Sequence, residues 1–277
     1  MSKTILALLL LLLGAPALAG TSERAYGADP RQRLDFTPAA ARGAPLVLFV
    51  HGGAWSFGDK RAAAHMAPHF HGRGYAFAAI NYRLVPNASV EQQAHDVAAA
   101  LASLLRDSAA LGIDRRRIVL IGHSAGAHLA ALVGTDPVYL AAARVEMGPV
   151  AGIVLLDGAG YDVPRQMAAA GPLLRRMYLN AFGADEAAQR RLSPTLHAAA
   201  PNVSSFAIVH SSRRPDSTAQ ARALAAALNG AGSWARIFAV DDSHGGIFRQ
   251  FGRPGHEATL ATDRFIESIF AIPAAAE

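Results

Sequence analysis

Three short stretches of this sequence hold residues whose types and spacing suit acyl transfer. The first is Gly122-His123-Ser124-Ala125-Gly126, a G-x-S-x-G pattern between an apolar β-type run and an Ala-rich helical one. A serine hydroxyl is a poor nucleophile until a neighbouring base takes its proton. Glycines two positions either side leave room for the sharp strand-to-helix turn that exposes such a serine, and helix entry aims N–H groups at an anion forming beside it. The second stretch, His51-Gly52-Gly53-Ala54-Trp55, directly follows the apolar run Leu46–Val50. Its small residues let backbone amides approach a tetrahedral oxyanion. The expected donors are the amides of Gly53 and Ala54, with Ala125 from the serine turn and Gly52 as the alternative. The third, Asp242-Ser243-His244-Gly245-Gly246, offers His244 as the base, on a loop just past the last apolar run.

Positioning these groups requires a sheet. Leu46–Val50, Ala76–Ile80, Ile118–Ile121, Ile153–Leu156, Phe206–Val209 and Ile237–Val240 are apolar and β-branched, as strands buried on both faces should be. Val90–Leu105, Ala125–Val133, Ala219–Leu228 and His256–Ile272 read as helices between and after them. Alternation of the two predicts an α/β fold, with a mostly parallel central sheet and helices on both faces. Residues 20–277 are expected to form one such domain, with a small helical cap inserted within 158–203.

The first nineteen residues read as a signal peptide. Lys3 precedes the apolar run Ile5–Leu13, and Ala17-Leu18-Ala19 is a small-x-small cleavage site. The run is too short to span a bilayer, so export to the periplasm or medium is expected, without stable membrane insertion after cleavage. The chain has no Cys, which excludes disulfides, Cys-ligated metal sites and a lipoprotein anchor. Aromatic residues make up 7%, too few for the stacking platforms of single-stranded nucleic acid binders. Nearly all the basic residues are Arg, scattered between apolar segments; the charge identifies no partner, and no nucleic acid is expected. His65 and His69 have the spacing of ligands on one helix face, but no Glu lies between them and Pro68 interrupts the helix, so no metal is predicted.

His51–Trp55, Asn81-Tyr82-Arg83-Leu84 and Gly122–Ala130, with Tyr26-Gly27 and Leu34-Asp35 upstream, resemble the α/β-hydrolase superfamily. The similarity is to its carboxylesterase branch, which includes feruloyl and acetyl-xylan esterase-like proteins and arylformamidase relatives. The resemblance implies a serine hydrolase with a Ser–Asp–His triad and no cofactor. The acid then lies between serine and histidine in the chain. Asp216 is the expected acid, because it follows Phe206–Val209 by a short loop; Asp162, after Ile153–Leu156, is its rival, and Asp242 would have to fold back sharply to reach His244. Trp55, His123, Tyr161 and Ile247 are expected pocket walls by adjacency to the motifs, and His128 is expected in the core. H-G-G-A-W in place of the H-G-G-G of hormone-sensitive-lipase-like enzymes implies the smaller, lightly capped branch and counts against long acyl chains. The expected activity is hydrolysis of short-chain carboxylic esters through an acyl-enzyme on Ser124. An aryl formamidase on the same fold is the alternative, against which export argues. A non-catalytic binding fold is third, and the intact serine and histidine count against it.

Overall fold

The computed structural model describes residues 20–199 and 201–271. The expected signal peptide lies outside these residues. Every apolar run singled out above is a strand: β3 (Ala44–Val50), β4 (Ala76–Ile80), β5 (Ile113–His123), β6 (Val150–Leu156), β7 (Ser205–Ser211) and β8 (Trp234–Val240). Two strands precede them, β1 (Ser22–Ala25) and β2 (Arg33–Thr37). The sheet order is β1-β2-β4-β3-β5-β6-β7-β8. Pairing is antiparallel for β1 with β2 and β2 with β4, and parallel from β4 through β8.

Strand side chains alternate between faces, and both faces of this sheet are covered. Leu46, Leu48 and Val50 of β3 join Ile118 and Leu120 of β5 on one side, against the helices Val90–Arg106 and Ala125–Thr135. Val47, Phe49, Val119 and Ile121 face the other side with Phe265, Ile266 and Ile269 of the C-terminal helix Glu257–Ala271. Double burial is why these strands are continuous apolar runs rather than alternating ones. Helix Val90–Arg106 starts at a capping box, Ser89 accepting from the Gln92 amide and Gln92 returning the bond to the Ser89 amide.

Between β6 and β7 the chain forms four short helices, Val163–Ala169, Pro172–Phe182, Glu186–Arg191 and Pro194–His197. The second of these lies over the carboxyl edge of the sheet, where Leu174, Met177 and Tyr178 line a cavity. Among the described residues no helix is long and apolar enough to cross a membrane.

Candidate active site

Parallel register brings the site together. His123 at the end of β5 stands opposite Leu156 of β6, Leu156 opposite Val209 of β7, and Val50 of β3 opposite Gly122 of β5. The residues that follow these ends therefore emerge side by side on one edge, where ligands bind in open α/β sheets. Ser124 N donates to Leu156 O at 3.0 Å, and Asp157 N donates to Val209 O at 2.7 Å.

Ser124 sits between β5 and helix Ala125–Thr135 with φ 56° and ψ −120°. That conformation is costly for a residue with a Cβ and survives only where its surroundings enforce it. The flanking glycines have direct steric reasons: a Cβ at Gly126 would run into the Val50 carbonyl, and one at Gly122 into the Gly126 carbonyl. Ala54, Trp55 and Asp157 also hold positive φ, at 48°, 59° and 44°. Strained backbone is thus concentrated around the serine.

His244 Nε2 lies 3.1 Å from Ser124 Oγ, and His244 Nδ1 lies 2.6 Å from Asp157 Oδ2. A carboxylate can only accept, so Nδ1 carries the proton and Nε2 keeps a lone pair toward the serine hydroxyl. Asp157 has no exposed side-chain surface. It also accepts from Ser211 N at 3.0 Å, Ser217 Oγ at 2.6 Å and an Arg214 guanidinium nitrogen at 2.8 Å. Burial alone would raise its carboxyl, but the His244 bond, the Arg214 charge and the Ser211 and Ser217 donors outweigh it. They hold Asp157 well below the usual carboxylate range.

The acid expected from the sequence is corrected here. Asp216 does not reach His244; it opens helix Pro215–Gly230, where Arg214 donates to its Oδ2 at 2.8 Å and Gln166 at 3.3 Å. Asp162 caps helix Val163–Ala169 by accepting from Arg165 N. Asp242 is engaged by Ser243 N, Gln250 and His256. Asp157 is hard to single out in the sequence because it directly follows the apolar run Ile153–Leu156 with no loop before it. The signal was register: it is the first residue past β6, as Ser124 is past β5. His244 lies not in an open loop but at the start of helix His244–Arg249, capped by Ser243, whose Oγ accepts from Gly246 N.

The site floors a cavity of about 570 Å³ lined by His51–Trp55, Phe57, Gly58, His123, Ser124, Ala159, Leu174, Met177, Tyr178, Arg214, Asp216, His244 and Phe248 among others. Trp55 and His123 are walls, as expected. Tyr161 and Ile247 are not; both are buried in the core, on opposite faces of the sheet. The amides of Gly52, Gly53, Ala54 and Ala125 donate to no protein group among the described residues, so they are free to meet an incoming oxyanion.

The loop carrying those amides is held by residues with no chemistry of their own. Tyr82 stacks on His51 and donates to its carbonyl at 2.8 Å, and Asn81 accepts from Lys60 N at 2.6 Å. Gln93 donates to Trp55 O at 2.7 Å. Trp55 Nε1 donates to His128 Nδ1 at 3.2 Å, while His128 Nε2 donates to Leu192 O at 2.8 Å, tying loop, serine helix and cap segment together. His65, His69 and His71 bond three different elements: the Phe248 carbonyl, Asp263 and the Pro38 carbonyl.

Burial pushes three of these histidines down, His51 and His128 to about 4 and His123 to about 3. In the unfolded chain each takes its proton near ~6.5. Below that pH the unfolded state holds protons that the folded state refuses, so stability falls as pH drops from about 6.5 toward 4. Each histidine contributes about 1.4 kcal/mol per pH unit in that window. Unfolding at pH 5 should therefore take up about three protons on their account. Calorimetry in buffers of different ionisation enthalpy reads that number, and an uptake near zero would mean these rings are charged in the fold.

A mostly parallel eight-stranded sheet, with a strained serine between β5 and its helix, is the α/β-hydrolase fold. The chain resembles the esterases and arylformamidases built on it. A family model described as BD-FAE matches residues 34–140, a stretch that contains the His51 loop and Ser124 but ends before Asp157 and His244. A probable isoprenylcysteine alpha-carbonyl methylesterase of Oryza sativa subsp. japonica is 40% identical over 108 residues, covering 38% of this chain and 25% of that protein. The kynurenine formamidase of Salmo salar is 30% identical over 110 residues, 39% of this chain and 36% of that protein. The chain thus spans between 25% and 36% of the length of these curated relatives. Among solved structures, esterase B from Lactobacillus rhamnosis (HN001) superposes with a TM-score of 0.73 at 21% identity, over 91% of this chain and 84% of that one.

Proposed function

We propose that this protein is a serine hydrolase that cleaves carboxylic esters with short acyl groups. The observation that carries the reading is the hydrogen-bonded chain Ser124–His244–Asp157 on the floor of the cavity. In this mechanism His244 Nε2 takes the Ser124 proton as Oγ attacks the ester carbonyl. The tetrahedral oxyanion is held by the amides of Gly53, Ala54 and Ala125. Collapse expels the alcohol, protonated by His244, and leaves an acyl-enzyme. His244 then deprotonates water, which attacks the acyl carbon and releases the acid. Support for short acyl groups comes from the bulky side chains of Trp55, Met177 and Tyr178, which take up room in the lining of the cavity.

The likeness to a kynurenine formamidase gives the aryl formamide reading a specific ground, since the same attack on a formyl carbonyl releases an amine instead of an alcohol. One panel separates the readings: p-nitrophenyl esters from acetate upward, a feruloyl ester and an aryl formamide, with fluorophosphonate labelling of the folded protein. We expect label at Ser124 and the highest kcat/KM on the shortest esters. A maximum at long acyl chains would remove the short-chain proposal, faster formamide cleavage would replace the ester reading, and unlabelled Ser124 would end both.

A further inference from the structure

The proposed mechanism gives no part to Arg214, a charged side chain that lines the cavity. Arg214 ends the loop after β7, immediately before Pro215 opens its helix. Its side chain is three-quarters buried. One terminal nitrogen lies 2.8 Å from Asp157 Oδ2 and 3.0 Å from His244 Nδ1, and the other 2.8 Å from Asp216 Oδ2. Gln166, on the first cap helix, bonds the same Asp216 oxygen.

We propose that Arg214 is the positioning residue of this site, clamping Asp157 against His244 and setting the acid limit of its activity. The inference rests on the serine-hydrolase reading. Two tautomers of His244 compete at Nδ1. If Arg214 donated to Nδ1, Nε2 would carry the proton and could take none from Ser124. Asp157 Oδ2 would then face the Nδ1 lone pair at 2.6 Å, two acceptors in repulsive contact. The proton therefore sits on Nδ1 and goes to Asp157. Arg214 meets the same carboxylate oxygen from the side and stands as an unbonded positive charge 3.0 Å from the ring nitrogen.

That charge has a definite sign of effect. Protonating Nε2 would create an imidazolium beside a guanidinium, which Coulomb repulsion disfavours. Among the described residues, the other groups facing the ring are Asp157, Ser124 and His123, whose ring centroid lies 4.7 Å away and which burial keeps neutral. Asp216 stands behind Arg214. On the ring's own segment, Arg249 lies against Gly245, and Asp242 is occupied by Ser243 N, Gln250 and His256. Asp157 and Arg214 are thus the charges in direct contact with the base, opposite in sign. Asp216 holds the guanidinium in place as a second anchor.

The test is the pH dependence of fluorophosphonate labelling at Ser124, which needs no ester substrate, together with kcat/KM on a short ester. Both are measured for the wild type, Arg214→Gln and Arg214→Lys. In Arg214→Gln the acid limb of both profiles should move to higher pH than in the wild type. Lysine keeps the charge but cannot bridge two carboxylates as the planar guanidinium does. Its limb should lie between those of the wild type and Arg214→Gln. If Arg214→Gln does not fold, an upward shift in Arg214→Lys carries the same meaning. Loss of rate with the limb unmoved would reduce Arg214 to a structural role and overturn the proposal, as would a downward shift. An unlabelled wild type would overturn the serine-hydrolase reading itself, and this inference with it.

Discussion

Ser124→Ala should lower kcat on a short ester by roughly 10⁶, and His244→Ala by about as much. The double variant Ser124→Ala/His244→Ala should be no worse than either single one. In the proposed mechanism the two side chains do one job. His244 Nε2 has a proton to take only if Ser124 Oγ presents it, and Oγ attacks only if Nε2 accepts it, across the 3.1 Å between them. Whatever activity is left in all three variants comes from the free amides of the His51 loop and from substrate held in the cavity, neither of which is touched. Steady-state kinetics on purified variants, with fluorophosphonate labelling to exclude wild-type contamination, measures this. Losses that multiply in the double variant would mean that serine and histidine act independently, and the acyl-enzyme scheme would fail.

Ser124 and His51–Trp55 were legible because the turn that exposes a nucleophile and the loop that frees amides both need small residues at fixed places. Gly126 is pressed against the Val50 carbonyl, and a side chain there would separate β3 from the serine helix. The strands β3 to β7 were legible because burial on both faces demands unbroken apolar runs, and β8, though largely exposed at the edge of the sheet, still carries the apolar run Ile237–Val240. β1 and β2 escaped that criterion. β2 reads Arg33-Leu34-Asp35-Phe36-Thr37, with Leu34 and Phe36 in the core while Arg33 and Asp35 stay partly exposed, and β1 is mostly exposed. The walls of the cavity were illegible for another reason. Tyr161 and Ile247 are near the motifs in sequence, but chain direction after a strand end decides which neighbour faces the cavity. Phe248, one residue past Ile247, lines it instead.

The acid was the hardest residue to read because two carboxylates belong to one network. Asp157 and Asp216 each accept from Arg214, so both are close to the site, yet only Asp157 touches the imidazole. Asp157→Asn should therefore lower kcat by roughly 10⁴ with KM little changed. The amide keeps the shape, and asparagine tolerates the left-handed backbone that Asp157 adopts at φ 44°. What it loses is the demand for a proton on Nδ1. With the carboxylate gone, Arg214 can donate to Nδ1 and favour the tautomer that cannot serve as base. The four donors converging on Asp157 also lose a charged acceptor, so the melting temperature should fall as well. Asp216→Asn removes only the outer anchor of Arg214 and should keep most of its activity. The comparison is made on short-ester kcat for the two variants side by side. If Asp216→Asn collapses while Asp157→Asn retains its rate, the acid is Asp216, and the loop after β7 must move toward His244 before catalysis.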